Sequence, residues 1–231
     1  MSEPLRVIAR NVRDAPAGSR ALLVATGALV VCYAIALAAL GTVPHADDTG
    51  QQVVDWFREH GTTVRWSVWA TTVAAPVSAV LFVLLRRLLP APHRDVFLVG
   101  AILWIAATMA ETWFAAGLAL HADRLEPATA RTVLDVAIFF GPVLTGATVT
   151  TMAPVTVLAL RGQAGLPRWL GALGAVAIVE QAIETVTIFG SSGFIEPGGA
   201  MNMQLGGALV AIWLVAFGVW GGLRGRPAAS P

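Results

Sequence analysis

Six long apolar runs dominate the chain, each about twenty residues or more, and the polar residues collect in the short intervals between them. At roughly 1.5 Å per residue, about twenty helical residues cross a bilayer core of roughly 30 Å. The pattern predicts membrane-spanning helices over residues 21–43, 63–89, 94–121, 130–160, 166–190 and 201–223. Arg6, Arg10, Arg13 and Arg20 precede the first run as they would in a signal sequence. Its length nevertheless exceeds the roughly 7–15 residues of a cleavable apolar segment, so it is read as a true span. The expected fold class is all-α: a polytopic membrane bundle of six transmembrane helices, forming a single domain over residues 1–231.

The intervals add detail. Between the first two spans, "HADDTGQQVVDWFREHG" offers Asp48 as a helix cap and sets Val53, Val54, Trp56 and Phe57 among charges. This reads as a short interfacial segment over 48–61. The N-terminal "PLRVIARNVR" alternates arginine with Leu, Val and Ile, which suits the inner leaflet surface. Pro76 in the second span, and Pro142 and Pro154 in the fourth, each remove a backbone hydrogen bond and favour kinks. Gly218 with Gly222, and Gly171 with Ala175, are small residues four apart, a spacing that lets two helices approach closely.

Charge then orients the bundle. With the N-terminus inside, the cytoplasmic segments hold Arg6, Arg10, Arg13, Arg20, Arg86, Arg87, Arg94, Arg161, Arg168, Arg224 and Arg226, against Arg58, Arg65, Arg124 and Arg131 outside. Arginine favours the cytoplasmic side, so both termini are expected there, with the protein in the bacterial cell (inner) membrane. Composition agrees: 56% of residues are hydrophobic and 13% charged, where soluble domains carry roughly 25% charged. A net charge of +1 that is sorted by side, with no basic face, gives no nucleic-acid signal. Cys32 is the only cysteine, which excludes a disulfide framework and a cysteine metal site. The absence of lysine excludes Schiff-base chemistry and a Walker-type phosphate loop.

Carboxylates well inside the spans carry the candidate chemistry: Glu111 in the third, Asp135 in the fourth, and Glu180 and Glu184 in the fifth. From the assigned outer ends they lie about 7 to 15 Å deep at the helical rise. A carboxylate in hydrocarbon costs about 2.5–3.5 kcal/mol on insertion scales, so these groups are expected to face protein or water. Glu180 and Glu184 are four apart and share a helix face, which Thr187 extends. Two carboxylates so close in a low dielectric do not both ionise readily, and the pair is a candidate proton donor. Glu180, Glu184, Glu111 and Asp135 are the candidate catalytic residues. Gln181, Trp113, Trp104, Trp69, Asn202, Gln204 and Arg65 are candidate substrate contacts, Arg65 by reaching inward as a counter-ion. No histidine shares a helix face with an acid at ligand spacing, since His121 is ten residues from Glu111 and so about 15 Å along the helix. Neither a metal site nor a cofactor is assigned.

The loop segments "VVDWFREHGTTVRWSVW", "LRRLLP", "LEPATARTVLDV" and "GLPRWLG" resemble a widespread group of small actinobacterial six-helix integral membrane proteins, a family of unknown function. That resemblance covers nearly the whole chain and implies the six-helix topology; Glu111, Glu180 and Glu184 are unusual for the group. In size and in paired acids the chain is also similar to the small integral-membrane terpene cyclases, without a shared motif. Three functions follow as expectations. The first is a membrane-embedded enzyme that acts on an isoprenoid or lipid by acid catalysis, of cyclase or isomerase type, with aromatic faces stabilising a developing cation. The second is a proton- or cation-linked small transporter using the same acids. The third is a non-catalytic accessory membrane subunit. The expected partners are the membrane and a lipid or isoprenoid small molecule, and the pattern is compatible with a homo-oligomer.

Overall fold

Helix caps fix where the elements begin. In the computed structural model, which describes residues 17–40 and 43–224, the Thr49 hydroxyl accepts a hydrogen bond from the Gln52 amide at 3.3 Å. Gln52 Oε1 in turn accepts from the Thr49 backbone at 2.7 Å, closing a reciprocal capping box. Asp48 is not the cap; its carboxylate accepts from the His45 backbone at 2.7 Å. Glu126 caps another helix by accepting from Thr129 N at 3.1 Å, with Pro127 in the first turn, where its missing N–H costs nothing.

Every regular element among the described residues is helical: α1 (Ala17–Leu40), α2 (Gly50–Arg86), α3 (His93–Leu120), α4 (Pro127–Ile138), α5 (Phe140–Leu160), α6 (Arg168–Glu184) and α7 (Gly207–Arg224). Short 3-10 turns follow α3 and α6, and a π-helical turn, Met201–Gly206, leads into α7. Six stretches are long and apolar enough to cross a membrane: Ser19–Ala38, Gly50–Arg86, His93–Leu120, Pro127–Leu160, Arg168–Phe189 and Met201–Leu223. The molecule is therefore a multi-pass, all-α membrane bundle. The N-terminal "PLRVIARNVR" segment lies outside the described residues.

Two of these stretches differ from the sequence expectation, and for related reasons. The interfacial segment over 48–61 is not separate but forms the first turns of α2, a helix of 37 residues. At the helical rise it is about 55 Å long, well beyond a bilayer core. Its buried Val53, Val54, Phe57 and Val64 pack on Leu118, Ala119, Ala122, Ala130 and Leu134, so a second small core sits at the loop end of the bundle. The fourth run is divided at Phe139, because Pro142 has no N–H to continue the ladder to Ile138. α4 consequently joins the small core on α2 and α3, while α5 enters the bundle. Pro76 and Pro154 lie within unbroken helices.

Around the bundle α1 packs on α2, α2 on α3, α3 on α5, α5 on α6, and α7 returns to α1, with a lighter contact to α6. Phe82, Phe97, Trp104, Trp213 and Phe217 interlock in the main core. Glycine sets the closest approaches. A Cβ at Gly218 would strike the Thr26 side chain, and one at Gly222 would strike Leu23. The Gly218–Gly222 spacing thus seats α7 on α1, and Gly171 likewise faces Ala159 and Leu160 of α5. Gly218→Leu is expected to lower stability by about 1–3 kcal/mol through overpacking. Gly27→Ala, whose added methyl would meet nothing within 4 Å, is expected to leave it unchanged, both read as melting temperature in detergent.

Candidate functional site

Where α6 ends, its backbone tightens into the 3-10 turn Thr185–Phe189, and Thr185 and Thr187 donate their hydroxyls to the carbonyls of Ala182 and Glu184 at 2.7 and 2.8 Å. These hydroxyls add side-chain hydrogen bonds to backbone carbonyls at the helix end. Glu180, Gln181 and Glu184 point inward from this last stretch of α6 and are 8, 3 and 3% exposed. Across from them lies the π-turn, which carries Asn202, and beside them runs α5, which carries Thr148.

One amide organises the group. Gln181 Nε2 donates to Glu180 Oε2 at 3.1 Å and to Glu184 Oε2 at 2.5 Å, while its Oε1 accepts from the Thr148 hydroxyl. Asn202 Nδ2 donates to Glu184 Oε1, and Asn202 Oδ1 accepts from the backbone N–H of Gly198 at 3.0 Å. Both oxygens of Glu184 are thereby bound. Glu180 is bound through one oxygen only; its buried Oε1 has no partner. Glycine makes room for this assembly: a Cβ on Gly206 would enter the Glu184 carboxylate and the Gln181 amide, and one on Gly141 would press on Asn202. Immediately outside the acids, Val176, Val179 and Ile183 on α6 are each more than half exposed, as lipid-facing residues are.

From Thr148 a polar seam continues along α5 through buried Thr151 and Thr156. Thr156 Oγ1 and Trp213 Nε1 are buried without partners, and both adjoin Gly174 of α6. Thr148, Gly206 and this seam were not legible as site residues. Threonines and glycines are common in membrane helices, and only the packing of α5 and the π-turn against α6 distinguishes these.

The remaining candidates lie apart. Glu111 lies on α3 near Tyr33 of α1. A cavity of about 10 Å³, the size of one water, is lined there by Tyr33, Ser78, Trp104 and Thr108. Among the described residues no hydrogen bond joins Glu111 to the Glu180–Glu184 centre. Asp135 pairs with Arg131 at 2.6 Å on the half-exposed face of α4, carried away from the centre by the break at Phe139. Trp104 is buried against Phe82. Trp69 and Trp113 are 53 and 72% exposed on the lipid face, and Gln204 points outward. Arg65 does not reach inward; its Nη2 donates to the Ala119 carbonyl at 3.1 Å. Among the described residues no three His, Cys, Asp or Glu side chains converge.

Above the centre, the loop before α2 is clasped to the loop before α7. Glu196, only 1% exposed, receives the Ala46 backbone N–H at 3.0 Å and bonds His45 Nδ1 at 2.5 Å. Arg131 Nη1 reinforces the first loop by donating to the His45 carbonyl at 2.9 Å. The partners are 151 residues apart in the chain, which is why the pairing was illegible in sequence. No protein-family model, curated protein or solved structure matches the chain.

The clasp carries a pH dependence. The hydrogen bond to Glu196, and then its charge, raise the His45 pKa above its usual 6.5. A group whose folded pKa is raised contributes its stabilisation below the unfolded value and loses it as pH rises through the folded value. Thermal melts are therefore expected to show the wild type losing stability as pH climbs above 6.5 relative to His45→Gln, in which the clasp no longer titrates.

Proposed function

We propose that the chain is a membrane-embedded enzyme that acts on an isoprenoid or other lipid by acid catalysis, of the cyclase or isomerase type, with Glu180 as proton donor. The observation that carries this reading is the asymmetry of the pair: Glu184 is held through both oxygens, whereas Glu180 keeps one buried oxygen unpartnered. Two carboxylates gathered on one amide nitrogen in hydrocarbon favour retention of a proton between them, because like charges there repel strongly. Gln181 and Asn202 stabilise Glu184 as the charged member, which leaves the proton on Glu180. Its neighbours Val176, Val179 and Ile183 form the lipid-facing surface, so a bilayer-dissolved substrate approaches without crossing water.

Acid chemistry of this type transfers the Glu180 proton to an alkene carbon, which forms a carbocation, and ends with loss of a proton from carbon back to the Glu180–Glu184 carboxylates, so the enzyme is restored and the product is an isomer. In this reading both termini are cytoplasmic, the acids lie in the outer half of the bacterial inner membrane, and Glu111 and Asp135 do not share the proton. Organic extracts of cells fed prenylated precursors are expected to contain a retention-shifted isomer of unchanged mass with wild type, and at least about 100-fold less with Glu180→Gln/Glu184→Gln, the scale of a lost general acid. Identical extracts from two folded, inserted proteins would sink the proposal.

A second reading, proton- or cation-linked transport, is favoured by a different observation. The threonine seam leads away from the acids along α5, and two irregular helical turns flank them, as in transporters that place ion sites at broken helices. In liposomes with a trapped pH dye, this reading expects wild type to dissipate an imposed proton gradient and the double mutant to hold it.

A further inference from the structure

On the face of the bundle formed by α2 and α3, away from the acid centre, an open groove of about 510 Å³ is lined by Arg65, Val68, Trp69, Thr72, Ala116, Gly117 and Leu120. Ligand sites typically measure about 300–1,000 Å³. Its depth in the membrane follows from the helix that forms it. Arg65 and Arg86 are separated by 21 residues of continuous α2, about 32 Å at the helical rise, which matches a hydrocarbon core of roughly 30 Å. Arg65 therefore stands at headgroup level, with Val68 and Trp69 one turn below it and Thr72 two turns below.

We propose that this groove binds an anionic phospholipid, its phosphate on Arg65 and an acyl chain along the α2–α3 furrow. Arginine presents five N–H donors in a fork suited to phosphate. The bond from Nη2 to the Ala119 carbonyl holds the guanidinium in place and engages only part of that set. Among the described residues no carboxylate pairs with Arg65; Asp55 and Asp123 on the same end of the bundle pair instead with Arg58. The furrow exists because α3 offers Ala116 and Gly117 there, and a Cβ built on Gly117 meets nothing within 4 Å. Trp66 and Trp69, both more than half exposed and packed edge to face at 5.6 Å, flank the headgroup end, where indole rings favour the membrane interface. This site is independent of the acid centre on α5, α6 and the π-turn.

The test is native mass spectrometry of the purified full chain titrated with dioleoyl phosphatidylglycerol or dioleoyl phosphatidylcholine. Wild type is expected to bind phosphatidylglycerol about fivefold more tightly, the ratio one arginine at an anionic headgroup provides. Arg65→Gln is expected to erase that preference while keeping the fold, and Arg65→Lys to keep much of it. Gly117→Leu, whose Cβ enters open space in the furrow, is expected to weaken both lipids. Equal binding of the two lipids by wild type, or unaltered binding by Gly117→Leu, would overturn the proposal. So would dimers that Gly117→Leu dissociates without altering lipid binding, which would assign the furrow to a second copy of the chain.

Discussion

Hydrocarbon gives a polar group no partner, and the packing at the end of α6 is organised around that deficit. Gln181 bridges both glutamates with one nitrogen and reaches Thr148 with its oxygen, so a single amide ties α6 to α5 and orders two acids. Asn202 completes Glu184 from the π-turn. Removing any of these partners would leave a buried carboxylate or amide unpaired, which is far costlier than a lost hydrogen bond in water. The same requirement is met in the side chains nearby, where threonine hydroxyls donate to backbone carbonyls beside the 3-10 turn.

Close helix approach is the other half of that arrangement. Gly206 and Gly141 have no side chains where the acid and amide heads must fit, and Gly174 leaves space for Thr156 and Trp213. Glycine is permissive in membrane helices because neighbouring helices supply the rigidity it lacks. Further out, the extra length of α2 and the detour of α4 build a small apolar core at the loop end of the bundle. The His45–Glu196 clasp, braced by Arg131, then fixes the loop before α2 over the entrance to α7.

Much of the site was legible where chemistry and hydropathy collide. Glu180, Gln181 and Glu184 stand out because carboxylates are expensive in an apolar run, and helical spacing alone places the two acids on one face. Asn202 was legible by depth, being a polar residue near the start of an apolar helix. Glu111 and Asp135 carried the same signal in sequence yet lie elsewhere, one beside Tyr33 and one on a surface ion pair with Arg131. Depth is a one-dimensional quantity, and four acids at similar depth can face four directions around a bundle. Arg65 shows the same limit: its depth was readable, its outward direction was not.

The sequence by itself determined the number of membrane-capable runs, their approximate bounds and the all-α class, because the requirement to satisfy every backbone group in lipid acts on each segment separately and leaves helices as the solution for runs of this length. Tertiary structure alone decided which acids meet, that the fourth span divides at Phe139, that residues 50–61 are part of α2, and that Glu196 is buried under His45. Those outcomes depend on contacts between segments far apart in the chain. A periodic pattern gives the face a residue occupies on its own helix, but the neighbour opposite that face is set by the packing of all six spans together.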